Sequence, residues 1–224
     1  MRTLDPATAG EMPAFAAYVA HELRTPIAHQ RLMAEAALAD PCPDPRALCE
    51  EVIAACDHQQ RLIDALLDLT RGRPSLLRRE QVDLAAVTRL VLGASDGHGL
   101  GCATTLDPAA VHGDRVLLER LCGNLVSNAI RHNVPRGLIE VTTRTEAGSA
   151  VLSVSNTGPV VCRRELARLF RPFERGPRRG GRNDGLGLGL AIVDSIAGAH
   201  EAVVAAQPRP GGGLSIEVRF PATR

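Results

Sequence analysis

The sequence predicts an all-α helical hairpin followed by an α+β two-layer sandwich. Before residue 72, two long stretches repeat apolar residues at helical spacing, with a proline-rich break between them. From Val82 the composition changes, and helical segments begin to alternate with short strand-like runs that end in turns. No internal repeat is present.

Residues from about 11 to 39 read as one helix. At about 100° per residue, Phe15, Val19, Leu23, Ile27, Met33 and Ala37 fall on one apolar face. Pro41, Pro43 and Pro45, with Asp40 and Asp44, stop this helix and turn the chain. A second helix from about 46 to 71 carries Leu48, Val52, Ala55, Gln59, Leu62, Leu66 and Leu69 at 4-3 spacing, a heptad seam with one polar member. One hairpin cannot bury both apolar seams well, whereas two paired hairpins form a four-helix bundle, so a homodimer is expected. Docking of the hairpin onto its own C-terminal domain is the competing arrangement.

Residues 72–81 read as a linker, which sets a helical domain at 1–73 and a second domain at 74–224. In the second domain a helix is expected over 83–93 and a strand near 102–106. Gly113-Asp114 then opens a helix running through Asn133. Strands at 137–145 and 149–156 form a hairpin across Glu146-Ala147-Gly148. A glycine- and arginine-rich loop spans 175–185, a helix 187–199, and a last strand pair 201–207 and 213–220. The expected result is helices on one face of a mixed sheet.

Composition narrows the chemistry. The formal net charge of +1 gives no bulk attraction to nucleic acid or to a membrane surface. Phe15, Tyr18, Phe170, Phe173 and Phe220 are the whole aromatic set, too few for a base-stacking surface. Every basic residue is arginine, which excludes a Walker A lysine and the strand lysine of eukaryotic-type protein kinases. The six cysteines, Cys42, Cys49, Cys56, Cys102, Cys122 and Cys162, form no C-x-x-C pair and are expected to be reduced. No run of 18 apolar residues and no signal peptide is seen, so the expected location is cytoplasmic.

Two clusters carry the functional signal. His21-Glu22-Leu23-Arg24-Thr25-Pro26 puts a nucleophile, a carboxylate and a hydroxyl within six residues. His21 lies opposite the apolar face, with Thr25 one turn later. Glu22 can hold one imidazole nitrogen and leave the other free to attack. Pro26 lacks an N–H and loosens the helix there. For a lone histidine, an incidental place on a solvated helix would be the plainer reading.

The second cluster begins with Asn124, Asn128 and His132, spaced i, i+4, i+8 on one helix face, with Arg131 beside them. Amide oxygens suit Mg²⁺ bridging phosphates, and arginine suits phosphate. On spacing alone, a helix showing its polar side to water reads equally well. Leu117, Leu121 and Leu125 lie on a neighbouring face. Val154 to Pro159 ends a strand in a tight turn presenting Asn156. Leu169 to Arg175 places two phenylalanines before Arg175. Gly185-Leu186-Gly187-Leu188-Gly189 then opens a helix, where backbone N–H groups can approach phosphate.

These motifs, in this order over about residues 11–221, resemble the catalytic core of a sensor histidine kinase of a bacterial two-component system. The N-terminal run resembles its phospho-acceptor box, and the second domain a GHKL-type ATP-binding domain. The asparagine box is matched by Asn124, Leu125, Asn128, Ala129, Arg131 and His132, the phenylalanine box by Phe170, Pro172, Phe173 and Arg175, and the second glycine box by Gly185, Gly187 and Gly189. The resemblance implies autophosphorylation of His21 by ATP, assisted by Glu22. Transfer to the receiver domain of a response regulator would follow, with Thr25 at the position that supports phosphatase activity. It implies Mg²⁺ on Asn128 and Asn124. It implies ATP contacts from Asn124, Asn128, Arg131, His132, Asn156, Gly158, Phe173, Arg175, Gly185, Gly187, Leu188 and Gly189. A membrane-anchored parent is compatible with it.

Two departures stand out. The family's first glycine box reads Asp-x-Gly-x-Gly, whereas this chain has Asn156, Gly158 and Val160. An amide oxygen can still accept from the adenine amino group but loses the charge-assisted part, about 1 kcal/mol or roughly fivefold. On that basis alone, aspartate at 156 should tighten ATP binding. Glu201 and Ala202 stand where the family usually turns on glycines. The alternative function is a degenerate nucleotide-binding scaffold or interaction module without kinase activity.

Overall fold

The computed structural model describes residues 27–28, 30–39, 44–71, 78–95, 99–174 and 187–222, with the side chains of 57–58, 61–62 and 64–71 outside the description. The chain divides into two compact units, Met1–Asp64 and Ala65–Arg224.

Residues 30–39 (α1) and Pro45–Arg71 (α2) are helical, and the division falls within α2. Asp44 starts α2 by accepting from the backbone N–H groups of Arg46 at 2.9 Å and Ala47 at 3.2 Å. Pro45 sits at the first helical position, where a missing N–H costs nothing. Gln30, Met33 and Ala37 of α1 are half-buried, as are Leu48, Val52, Ala55 and Gln59 of α2. The polar member of the seam is matched: Gln59 Nε2 donates to Gln30 Oε1 at 3.3 Å, and Gln30 Nε2 donates to Cys56 Sγ at 3.5 Å. The expected seam is thus used, over its described part, between α1 and α2 of one chain. Ile27, expected on the apolar face, is 58% exposed in this single chain. A second row on α2 is also open: Cys49, Ile53, Cys56 and Ile63, with Ile53 at 60% and Ile63 at 49% exposure.

Beyond α2, the second unit holds a ribbon that the sequence reading does not anticipate. β1 (Glu80–Asp83) pairs antiparallel with β3 (Ala110–Gly113), Asp83 opposite Ala110. Each strand runs into an aspartate that caps a helix. Asp83 accepts from Ala85 N–H at 3.1 Å and starts α3 (Leu84–Ala94), and it also accepts from Ala109 N–H at 3.0 Å. Asp114 accepts from Leu117 N–H at 3.2 Å and starts α4 (Arg115–Arg131). Such caps stabilise a helix by about 1 kcal/mol each.

The main sheet has five strands in the order β2 (Gly101–Leu106), β4 (Leu138–Glu146), β5 (Ser149–Asn156), β7 (Leu214–Arg219), β6 (Val203–Pro208). β2 and β4 are parallel and the other pairs antiparallel, giving the mixed sheet expected. Period-2 burial fixes one face inward: Ile139 and Val141 on β4, and Leu214, Ile216 and Val218 on β7. α4 packs between α3 and α6 (Gly189–Ala199), and lies against β5. Leu118, Leu121 and Leu125 of α4, Ile196 of α6, Leu152 and Phe220 are fully buried in this core. Truncating one of the leucines to alanine costs about 2–5 kcal/mol. Between β5 and α6 a short 3₁₀ turn (Arg163–Glu165) and α5 (Leu166–Leu169) were also not foreseen.

Candidate functional site

The inner face of α4 is committed to the core, and this leaves its polar face for a cavity. Asn124, Ser127, Asn128, Arg131 and His132 line one side of a space of about 380 Å³. Asn156, at the end of β5, and Gly187 and Gly189, at the start of α6, line it too. Three motifs separated by up to 65 positions in the chain therefore meet in one place. Pro159, Val160, Val161, Leu169, Leu190 and Leu214 give the same cavity apolar wall, suited to a flat heterocycle.

The amides are oriented by their own donors. Asn124 Nδ2 donates to Arg120 O at 2.9 Å, one turn back. Its Oδ1 is turned toward Gly189, where an added Cβ would lie 3.3 Å away. Leu188, before the first turn of α6, supplies no side-chain cap. The N–H groups of that turn therefore lack helical acceptors, a setting that favours anions. Asn128 stands one turn after Asn124 on the same wall.

Asn156 is 4% exposed. Its Nδ2 donates to Thr157 O at 2.7 Å and to His132 O at 3.4 Å. Two carbonyl oxygens can be met only by the NH₂ end, so Oδ1 is left to serve as an acceptor. The turn is held by Thr157, whose Oγ1 donates to Asn133 Oδ1 at 2.6 Å and accepts from Leu138 N–H at 2.8 Å. Gly158 has its place for a steric reason: a Cβ there would come within 2.5 Å of His132 O.

Phe173 and Glu174 follow a turn after α5. Phe173 has a left-handed φ of 66° and donates its backbone N–H to Gly187 O at 2.8 Å. Gly187 has φ of 68°, and a Cβ there would meet Phe173 C at 2.9 Å. Glu174 and Arg168 both line the cavity and are paired at 2.8 Å.

The titrating groups nearby are set by burial. His132 has its pKa lowered by surrounding protein and then by the Arg131 charge, which favours the neutral ring. His200 at the end of α6 is 4% exposed, and burial chiefly lowers its pKa, with the Arg79 charge adding to this. Its Nδ1 faces Ile196 O at 2.8 Å, and its Nε2 accepts from Asp114 N–H at 3.0 Å, which defines the neutral tautomer. Burial pushes the Cys122 thiol up to about 12, so it stays protonated. Cys49, Cys56, Cys102 and Cys162 are free and exposed.

His21, Glu22, Thr25, Arg175 and Gly185 lie outside the described residues. Leu188, expected among the nucleotide contacts, sends its side chain into the core at 2% exposure, and Leu190 lines the cavity instead. The sequence reading missed Glu165, Arg168 and Glu174, because charged residues in and around short unforeseen helical turns look like ordinary surface. Among the described residues no group of three His, Cys, Asp or Glu is placed to hold a metal, and no helix is long and apolar enough to cross a membrane.

A mixed five-stranded sheet is backed by three helices, and an asparagine-bearing helix and a glycine-started helix face one cavity, the layout of a nucleotide-binding domain. Residues 113–224 match the family of histidine kinase-, DNA gyrase B-, and HSP90-like ATPases, and residues 12–75 match the His Kinase A (phospho-acceptor) domain. The chain belongs to this ATPase family, as the catalytic core of a two-component sensor histidine kinase. It is 41% identical over 215 residues to the sensor protein CutS of Streptomyces coelicolor, covering 92% of this chain and 52% of that one. It is 33% identical over 216 residues to the sensor protein CzcS of Cupriavidus metallidurans, covering 92% and 45%. The chain thus spans about half the length of these curated relatives. In fold it is similar to the Acinetobacter baumannii histidine kinase AdeS (TM-score 0.72, 23% identity, 91% of this chain and 98% of that one). It is also similar to histidine kinase ThkA, solved in complex with the response regulator protein TrrA (TM-score 0.75, 21% identity, 97% and 64%).

The family implies ATP as the nucleotide. The cavity fits it in three respects: apolar walls, an amide at Asn156 whose oxygen is not used by its two Nδ2 bonds, and N–H groups at the start of α6 without a side-chain cap.

Proposed function

We propose that this chain phosphorylates itself on His21 from ATP and passes the phosphoryl group to an aspartate on the receiver domain of a response regulator. The observation that carries this reading is the convergence of Asn124, Asn128, Arg131 and His132 with Asn156 and Gly189 on one cavity. It occurs in a chain whose residues 12–75 match a phospho-acceptor domain.

Asn156 accepts from the adenine amino group, with Gly158 allowing the close turn beneath it. Asn124 and Asn128 are the residues that would hold Mg²⁺, which supplies charge neutralisation at the phosphates. Arg131, His132, Arg175 and the backbone of Gly185, Gly187, Leu188 and Gly189 orient the polyphosphate. Phe173, tied to Gly187 through its backbone N–H, fixes the wall at that point. His21 attacks the γ-phosphorus in line: a ring N–P bond forms, the P–O bond to ADP breaks, and Glu22 takes the ring proton. Thr25, one turn from His21, positions water for hydrolysis of the regulator's phospho-aspartate. The chain works as a homodimer through residues 1–73, with ATP bound by residues 74–224. Its place is the cytoplasm, where the nucleotide and the regulator are found, either alone or as part of a membrane-anchored protein.

Incubation with ATP labelled in the γ-phosphate tests this. An acid-labile, base-stable label that disappears in His21→Ala, with nucleotide binding kept, is expected. Label that persists in His21→Ala overturns the assignment. Asn128→Ala should remove most Mg²⁺-dependent ATP binding in calorimetry.

A further inference from the structure

Arg168 and Glu174 form an ion pair on the wall of the nucleotide cavity. One carboxylate oxygen, Glu174 Oε2, accepts from Arg168 Nε at 2.9 Å, and Arg168 Nη2 lies 2.8 Å from the same oxygen. The other oxygen, Oε1, lies 3.8 Å from Arg171 Nη1. The glutamate is seated, with 26% of its side chain exposed, whereas the arginine reaches it from a side chain 62% exposed. The donor edge of Arg168 that meets the carboxylate is the edge that binds phosphate equally well.

Charge balance makes the pair significant. The charged side chains on the described cavity wall are Arg131 and Arg168 against Glu165 and Glu174, so the formal charges cancel. Glu165 is engaged elsewhere, accepting from Cys162 N–H at 3.2 Å. A polyphosphate brings several negative charges into this neutral wall. A carboxylate left beside it would repel it, and a guanidinium released from the carboxylate would attract it.

We propose that Arg168 is a phosphate contact and that Glu174 holds its guanidinium until the polyphosphate takes over. This rests on the nucleotide reading of the cavity given above. The exchange makes the pair a determinant of charge specificity: it favours ligands with enough phosphate charge to displace a carboxylate, and it is silent toward the uncharged nucleoside.

The test is calorimetric titration of the intact chain, its Arg168→Ala variant and its Glu174→Gln variant with Mg·ATP and with adenosine. Arg168→Ala should weaken ATP by about tenfold, the scale of one charge-assisted contact. Glu174→Gln should tighten ATP by about threefold to fivefold, since the competing charge is gone while a neutral partner of the same shape remains. Adenosine affinity should be unchanged in both, which also shows that the cavity is intact. Opposite shifts for ATP support the proposal. If both variants weaken ATP and adenosine together, the pair is a structural fastener and the proposal is overturned. If ATP binds the parent chain and neither variant alters it, this proposal fails while the nucleotide reading stands. If the parent chain binds neither ATP nor adenosine, both fall.

Discussion

The backbone N–H of Phe173 donates to the carbonyl of Gly187 at 2.8 Å, tying the residue before Glu174 to the residue that leads into α6. Both residues sit at left-handed φ, 66° and 68°. The bond thus fastens two positions fourteen apart in sequence.

Gly187→Ala should break this fastening. The added Cβ would meet Phe173 C at 2.9 Å and Glu174 O at 3.0 Å, and backbone atoms cannot swing aside. Left-handed strain adds about 1–2 kcal/mol. Chemical denaturation should show a loss of that order, and ATP affinity should fall with it. Unchanged stability and affinity would show that the contact is not fixed.

The second prediction concerns Asn156. Asn156→Ala should weaken ATP by about fivefold or more, since the adenine amino group loses its acceptor at a cost of about 1 kcal/mol. The structure changes the expectation for Asn156→Asp. A carboxylate would set an oxygen against Thr157 O and His132 O, which now receive the amide N–H groups at 2.7 Å and 3.4 Å. The gain from a charged acceptor is therefore offset by repulsion below it, and little or no tightening is expected. A full fivefold gain in calorimetry would mean that the turn rearranges around the aspartate.

The third prediction is the pH dependence of stability. His200 is held neutral in the fold, its pKa lowered mainly by burial, and it titrates near 6.5 once unfolded. The unfolded chain then binds more protons as pH falls below about 6.5, so stability drops in the direction of acid. The contribution is fully present above that pH and is lost as pH falls toward the depressed native value. His132 shifts in the same direction and adds to the slope. Urea unfolding between pH 7.5 and pH 5 should show a declining midpoint, with a shallower decline in His200→Gln. An equal slope in that variant would remove His200 as its source.

The fourth prediction concerns association. α2 spends the described part of its Leu48, Val52, Ala55 and Gln59 row on α1, which leaves Ile53 and Ile63 exposed at 60% and 49%. If a second chain covers that row in a four-helix bundle, Ile53→Glu would bury an unpaired charge at a cost of several kcal/mol. Light scattering should then report a dimer for the parent chain and a monomer for the variant. Cys49 and Cys56, on the same row, should react with thiol reagents faster in the variant, while Cys122, raised to about 12 and buried, stays inert in both. A monomeric parent chain at micromolar concentration would contradict the bundle.

The heptad row from Leu48, the alternation on β7 and the i, i+4, i+8 spacing of Asn124, Asn128 and His132 were all legible in the chain, because each is a local period that burial on one face imposes. The order of the boxes, and with it the class of protein, followed from the same local text. What the sequence could not express were relations across distance. β1 and β3 are four residues each, too short to show a period, and exist because Glu80–Asp83 finds Ala110–Gly113. Leu188, between two glycines, reads as part of a phosphate loop; packing around α6 draws its side chain into the core, which leaves its backbone for that role and Leu190 on the wall. The His132 carbonyl that accepts from Asn156 Nδ2 comes from the end of α4, 24 positions earlier, and the Arg168–Glu174 pair joins α5 to the turn that follows it. Periodicity determines which face of an element is wet; only tertiary packing determines which wet faces meet, and therefore which charges and amides must share one cavity.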